Sequence, residues 1–473
     1  MQWSVRVRFW FVVLIACFGP AETLFAGDDE RPTNEERPNI VVIFCDDLGY
    51  GDLGTFGHPT IRTPRLDQMA VEGQKWTNFY VGASVCTPSR AALMTGRLPI
   101  RSGMCSDKRR VLFPNSGGGL PDSEVTIAEA LKQTGYRTAC VGKWHLGHLP
   151  QFLPTNHGFD SYFGIPYSND MDFVKGSPRY RQKPDDAKSE HYNVPLMRDT
   201  EVIERPAEQT TITRRYAEES VRFISRDSDK PFFLYLAHSM PHIPLFRSDA
   251  FTDQSLRGVY GDVIEEIDWS VGQVLDAVGQ LKRKTLVVFT SDNGPWLTFH
   301  QTGGSAGLLR GGKGGTFEGG MREPTIFWGP GIVEPGVVMK MGATMDLLPT
   351  ACALAGADLP TDRTLDGYDL TSTLRGQDVD HPRDTIFYYR GTRIFAVRKG
   401  AYKAHFITKS EYGRNDLTEH DPPLLYHLEH DPSEKYDVAK ENPQVIADIK
   451  RLAQSHQKSV VSVPNQLEIP LPK

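Results

Sequence analysis

A large α/β domain with a smaller antiparallel sheet beside it is the fold class this sequence predicts. Three observations carry that expectation. Four apolar runs of strand length alternate with helical stretches, each run ends in a cluster of polar residues, and beyond residue 376 the pattern changes to short, closely spaced strands. Unbroken apolar runs fit strands covered by helices on both faces, whereas closely spaced short strands fit an antiparallel sheet.

Asn39-Ile-Val-Val-Ile-Phe44 is the first of these runs and ends in Cys45-Asp46-Asp47. A Gly-rich loop follows, and Thr63-Pro64 opens a helix carrying Leu66, Met69 and Ala70. The next helix lies within residues 85–97: Pro88 suits its first turn, where a missing N–H leaves no gap, and Gly96 suits a left-handed stop. Residues 101–121 read as a surface loop, after which Ser123 caps a helix through Leu131 that Gly135 ends. Residues 137–141 form the second strand, running into Gly142-Lys143-Trp144-His145. Residues 172–207 are polar, without a firm period, and read as a long surface excursion of the kind that shapes a substrate pocket. A helix over 209–224 leads to the third strand, 232–237, which ends in His238-Ser-Met-Pro-His242. Val259, Val263, Ile267, Val271, Val274 and Val278 recur at three- and four-residue steps and predict a long amphipathic helix up to Leu281. The fourth strand, 285–290, ends in Ser291-Asp292-Asn293-Gly294, and a glycine-rich stretch around Lys313 follows whose backbone can approach a ligand closely. A helix near 345–355 closes a first domain, 38–375. Short strands at 386–389, 393–398, 402–406 and 424–428, with a helix over 443–457, make a second, 376–473.

The chain has 473 residues and a net charge of −6, which excludes a nucleic-acid binder, since these carry a basic excess; an anionic substrate needs a local cationic cluster instead. Arg6 and Arg8 precede an apolar run over 9–18 that is too short to span a bilayer and has the form of a secretory signal, residues 1–26. Leu14-Ile15-Ala16-Cys17 fits both a lipobox, with Cys17 as a lipid anchor, and an ordinary stretch of such a signal. Either way the expectation is an exported protein with no transmembrane span in the mature chain. The six cysteines show no metal spacing, and Cys45, Cys140 and Cys352 lie in apolar segments that read as core.

Ligands of open α/β sheets bind beyond the carboxyl ends of the strands, so Asp46-Asp47, Lys143-x-His145, His242 and Asp292-Asn293 are expected to converge. Asp46, Asp47, Asp292 and Asn293 offer oxygen alone, which suits Ca²⁺, and less well Mg²⁺, but not zinc. Singly, the Asp pair also reads as a loop cap and Asp-Asn-Gly as a turn. Arg90, Lys143, His145, His242 and Lys313 form the candidate cationic set; one by one they also read as surface charges or hydrogen-bonded core histidines. Cys86, at a helix N-terminus one turn from Arg90, is expected to be an acidified thiol.

The string Val85-Cys86-Thr87-Pro88-Ser89-Arg90, with Thr95-Gly96-Arg97 after it, resembles the signature of the type I, formylglycine-dependent sulfatases. The blocks Asp46 to Gly54, Gly142 to Gly147, Ile165-Pro-Tyr-Ser168, Ser291 to Gly294 and Gly307 to Lys313 resemble that family's in the same order, and the likeness runs from Asn39 to the last helix. It implies an alkaline-phosphatase-like large mixed sheet flanked by helices, and hydrolysis of a sulfated small molecule or glycan. It implies that a formylglycine-generating enzyme converts Cys86 to an aldehyde, whose hydrate joins Asp46, Asp47, Asp292 and Asn293 around Ca²⁺. By the same likeness Arg90 stabilises the hydrate, Lys143, Ser168, His242 and Lys313 bind the substrate's sulfate, His145 helps release it, and His242 protonates the leaving alcohol; His238 has no role. One hydroxyl of the hydrate attacks sulfur while Asp292 takes its proton, the alcohol leaves with a proton from His242 or Lys313, and the second hydroxyl then expels sulfate. Two rivals stand beside this reading: a phosphomonoesterase or phosphodiesterase of the same superfamily, which would carry more metal ligands, commonly histidines, and an exported glycan-binding protein without catalysis.

Overall fold

The computed structural model describes residues 31–181, 187–377, 383–410, 416–461 and 463–472, besides Met1. The expected signal segment and Cys17 lie outside the described residues, and the unit discussed below is Pro32–Lys473.

Among the described residues the larger sheet has ten strands: β1 (Asn39–Cys45), β2 (Gln74–Tyr80), β3 (Arg137–Gly142), β4 (Ser161–Gly164), β5 (Leu196–Arg198), β6 (Glu201–Glu204), β7 (Phe232–Ala237), β8 (Thr285–Ser291), β9 (Thr325–Trp328) and β10 (Gly336–Ala343). Their order is β10-β2-β9-β8-β1-β7-β3-β4-β5-β6. At its centre β8, β1, β7 and β3 are mutually parallel neighbours, while β9, β5 and β6 run antiparallel to the strands beside them, so the sheet is mixed.

β1 shows why the central strands form. Side chains alternate across a strand, and every residue of β1 is apolar or buried, so both faces must be covered. Val41, Ile43 and Cys45 enter one core with helices Ile212–Ile224 and Val259–Gly279; Ile40, Val42 and Phe44 enter the other with helices Cys86–Thr95, Ile127–Lys132 and Leu347–Ala355. Because the four central strands are parallel neighbours, their carboxyl ends lie side by side on one edge.

Four local expectations need correction. Residues 101–121 are not a surface loop, since Met104, Leu112, Ser116 and Leu120 are buried. The helix after residue 123 starts at Ile127, because Thr126 and Glu129 make a reciprocal capping box that Ser123 cannot. The segment 172–207 is not simply a surface excursion: Tyr180, Tyr192, Val194 and Leu196 are buried in the core, and β5 and β6 extend the sheet edge. β2, β9 and β10 were not expected at all; the first is mixed in polarity, the second has four residues, and the third exposes Val337 and Met339 at the sheet's edge.

A second sheet of four antiparallel strands, β11 (Thr385–Arg390), β12 (Arg393–Lys399), β13 (Tyr402–Thr408) and β14 (Thr418–His427), is packed by helix Pro443–Ser459 through Ile446, Ile449 and Ala453. It meets the larger sheet across a buried ionic knot. Lys403 Nζ lies 2.9 Å from Glu318 and 3.0 Å from Glu434, and Tyr80 and Tyr388 donate to Glu318 at 2.6 and 2.7 Å. Burial alone would raise Glu318, but Lys403, with Arg322 and Arg398, holds it far below the usual carboxylate range. Its unfolded pKa is about 4.3. A lowered folded pKa stabilises fully above that value, and the contribution is lost progressively as pH falls from there towards the folded pKa. Glu318→Gln is therefore expected to cost about 2–3 kcal/mol at neutral pH, and progressively less below about pH 4, as read from urea midpoints.

Candidate active site

Helix Cys86–Thr95 is buried along its whole length, with Val85 extended before it and Gly96 in the left-handed region (φ 66°) after it, its N–H donating to the Ala92 carbonyl. That places Cys86 in the first turn, at the edge where the central strands end. Its Sγ donates to Asp46 Oδ1 at 3.2 Å. Burial, and then the charge of Asp46, raise the thiol far above its ordinary pKa, so the expected acidification does not occur. The helix terminus favours an anion, but desolvation and a neighbouring carboxylate outweigh it.

The carboxylates arrive from two strand tips. Asp46 continues β1 and accepts from Lys143 Nζ, with Arg90 Nη2 3.7 Å from its other oxygen. Asp47 sits at φ 66°, a strained turn for a non-glycine residue, and accepts from Lys313 Nζ and from Asn293 Nδ2, both at 2.7 Å. Asp292, beyond β8, accepts the Asp47 backbone N–H at 3.2 Å and a forked pair from Arg90, Nε at 3.0 and Nη2 at 2.8 Å. Arg90 also donates to the Lys143 carbonyl at 2.9 Å, tying the tips of β3 and β8 to the cysteine's helix.

Lys143 follows Gly142, which has φ 113° and lies so close to β7 that a Cβ would stand 1.8 Å from the Ala237 carbonyl oxygen. Only glycine permits that approach. Lys143 Nζ donates to Ser168 Oγ at 3.1 Å, and Ser168 Oγ lies 3.4 Å from His242 Nε2, itself 3.6 Å from Asp47. Lys313 stands over the Trp296 ring at 4.4 Å. One oxygen or sulfur or nitrogen each from Asp46, Asp47, Cys86 and His242 lie within 4.8 Å of one another. All eleven expected site residues, including His145, are thus buried in one region.

The two histidines are held differently. The Ile243 carbonyl and Asn169 Oδ1 face His242 Nδ1, so that nitrogen carries the proton and Nε2 turns towards Ser168 and Asp47. His145 (φ 58°) donates from Nε2 to the Leu112 carbonyl at 2.9 Å, and its Nδ1 is buried without a partner. Burial, with Lys313 next for His242 and Lys143 next for His145, lowers both well below the ordinary range. His238 lies apart, its Nε2 3.3 Å from Ser270.

Electrostatics argue for a hard cation here. Burial pushes Asp47 up to about 6 and Asp292 up to about 7, with Asp46 adding to both, while Lys313 opposes at the first and Arg90 at the second. Asp46 escapes this because Lys143, with Arg90 and Lys313, overcomes its burial. Asn293 Oδ1 is buried without any hydrogen-bond partner. Three crowded carboxylates and an orphaned amide oxygen are a donor set that fits Ca²⁺.

Trp296, Asn169 and the carbonyls of Leu112 and Ile243 are contributors not expected beforehand. Trp296 stands two residues after the Asp292-Asn293-Gly294 turn and Asn169 next to Ser168, so adjacency was the only signal.

The family model described as Sulfatase matches residues 38–357, and that described as the C-terminal region of aryl-sulfatase matches residues 381–470. The chain is 44% identical over 446 residues to arylsulfatase A of Homo sapiens, spanning 88% of this chain and 87% of that one. It is 41% identical over 477 residues to N-acetylgalactosamine-6-sulfatase of Mus musculus, spanning 92% and 89%. Among solved structures, the PsFucS1 sulfatase from Pseudoalteromonas sp. superposes with a TM-score of 0.80 at 28% identity over 91% of this chain and 92% of that one. Ps i-CgsB in complex with k-i-k-neocarrahexaose superposes with a TM-score of 0.76 at 30% identity over 92% and 95%.

Proposed function

The chain belongs to the sulfatase family, and from that premise we propose that it hydrolyses sulfate monoesters of carbohydrates, with Cys86 in its formylglycine form as the nucleophile. The observation that carries the reading is the meeting of Cys86, Asp46, Asp47 and His242 within 4.8 Å, ringed by Lys143, Lys313 and Ser168. A hydrolase for a tetrahedral anion needs such a nucleophile among preorganised cations. A carbohydrate substrate is supported by the crystallised complex of a relative with a hexaose.

Asp46, Asp47, Asp292 and Asn293 would hold Ca²⁺, which when bound supplies the positive charge these acids lack and polarises a sulfate oxygen. The formylglycine hydrate would supply two hydroxyls on one carbon where the thiol now stands. In this reading Arg90 fixes Asp292, whose carboxylate takes the nucleophile's proton. Lys143, Ser168 and Lys313 hold sulfate oxygens as charged or hydroxyl donors. The leaving oxygen takes its proton from Lys313, held as an ammonium beside Asp47, or from His242 once Nε2 is itself protonated, the ring being oriented through Nδ1 by Ile243 and Asn169. His145 Nδ1, a buried lone pair, receives a proton as sulfate departs.

Export and maturation by a formylglycine-generating enzyme belong to the same proposal, supported by the N-terminal signal pattern and by Cys86-Thr-Pro-Ser-Arg90. Among the described residues no helix is long and apolar enough to cross a membrane. The test is the rate on nitrophenyl sulfate against nitrophenyl phosphate: clear preference for the sulfate is expected, and equal or reversed rates favour the phosphoesterase reading. A chelator is expected to abolish turnover and lower Tm, with Ca²⁺ restoring both better than Mg²⁺. At a hundredfold excess over Kd the ion stabilises by about 2.7 kcal/mol, and an unchanged Tm contradicts the metal assignment.

A further inference from the structure

Lys313 rides on a segment that cannot set its own shape. Half of the residues from Gly307 to Gly320 are glycine, and glycine gives up more conformational freedom on ordering than any other residue. The shape must come from what holds the loop. Lys313 N–H donates to the Pro295 carbonyl at 2.9 Å and Gly314 N–H to the Ser84 carbonyl at 2.8 Å. On both flanks of the lysine the hold comes from the turn between β14 and the last helix. Ser433 Oγ donates to the Leu308 carbonyl at 2.6 Å, the Glu434 carbonyl accepts from Arg310 Nη1 at 2.8 Å, and Glu434 Oε2 accepts the Glu318 N–H at 2.7 Å. Positions 308, 310 and 318 bracket Lys313, so one short turn grips the loop on either side of it. Gly319 N–H then closes the loop onto the Arg310 carbonyl at 2.8 Å.

Glu434 is itself firmly held. It is fully buried at φ 52°, a conformation that a non-glycine residue keeps only where its surroundings over-determine it. Its second oxygen, Oε1, accepts from Lys403 Nζ at 3.0 Å and from His405 Nε2 at 2.6 Å. One carboxylate therefore joins β13 to the loop that carries Lys313. The same loop lies against Ser410, where a Cβ added at Gly315 would stand 2.5 Å from the carbonyl oxygen.

We propose that Glu434 is a positioning residue for Lys313, and that the turn around it fixes the ammonium beside Asp47, where the substrate's sulfate is held. The proposal rests on the sulfatase reading, in which Lys313 binds that sulfate, and adds the residue that aims it. Lys313 Nζ lies 2.7 Å from Asp47 at the end of a long side chain, and a misplacement of about 1 Å costs on the order of 100-fold in rate. Glutamine at 434 keeps the volume, but its NH2 must face either the Glu318 N–H or the donors on Lys403 and His405, so one grip opens.

The experiment is a double-mutant cycle on nitrophenyl sulfate with the matured full-length chain. Glu434→Gln alone is expected to lower kcat/KM about 10- to 100-fold. In the Lys313→Ala background it is expected to cost less than about threefold, because no ammonium is left to misplace. A contribution to folding alone lowers both backgrounds by the same factor, so equal factors overturn the proposal. Should Glu434→Gln not fold, Ser433→Ala removes one surface contact without disturbing a buried charge, and its cycle is expected to show smaller factors with the same inequality. Hydrogen exchange reads the loop without turnover: Glu434→Gln is expected to speed exchange at the Lys313, Gly314 and Gly319 amides while β1 and β8 stay protected, and unchanged protection of the loop overturns the proposal. Faster loop exchange in a matured chain that hydrolyses no sulfate ester would sink the sulfatase reading and leave the grip on the loop standing. Hydrolysis with equal factors in both backgrounds does the reverse.

Discussion

Cys86→Ser is expected to release one equivalent of nitrophenol from nitrophenyl sulfate and then stop. A serine oxygen can occupy the place from which Sγ now reaches Asp46 at 3.2 Å, with Lys143, Ser168 and Lys313 still present to hold the sulfate. It can attack sulfur, but it carries no second hydroxyl to expel the sulfate afterwards. The burst should therefore equal the enzyme concentration, the chain should gain the mass of one sulfo group (SO3), and steady turnover should fall by at least about 10⁴-fold, as removal of a nucleophile does elsewhere. Cys86→Ala should show neither burst nor turnover. Steady hydrolysis by the serine variant would show that release does not need a second hydroxyl.

Arg90→Ala is expected to have the largest effect on stability. The side chain is fully buried, donates twice to Asp292 and once to the Lys143 carbonyl, and stands over the Phe44 ring at 5.4 Å. Its removal leaves Asp292 and Asp46 in the interior with less compensating charge. Breaking a buried ion pair from one side costs about 3–5 kcal/mol, and truncating the side chain adds a void among Phe44 and Tyr235. Arg90→Lys is expected to recover little, because one ammonium cannot reproduce the fork and reach the carbonyl. Urea unfolding with saturating Ca²⁺ checks this, and a loss under about 1 kcal/mol would show that the ion alone balances the acids.

The four central strands were legible because β1, β3, β7 and β8 are buried on both faces and so leave unbroken apolar runs. The site was legible for the same reason: polar residues that end such runs, Asp46, Lys143 and Asp292, have nowhere to be but the shared edge. Strands of mixed polarity such as β2, or of three or four residues such as β5 and β9, carry no period distinct from a loop. The Cys86 thiol shows a different limit. A helix N-terminus is a local feature visible in Pro88 and Gly96, whereas the burial and the Asp46 carboxylate that raise its pKa come from tertiary packing.

Mass measurement of the peptide carrying residue 86, made on the same preparation whose turnover of nitrophenyl sulfate is recorded, tests the central claim most directly. The expected result is a peptide lighter by the difference between a thiol and an aldehyde, in a proportion that tracks specific activity across preparations. Full activity from chains whose residue 86 remains an unmodified cysteine would contradict it.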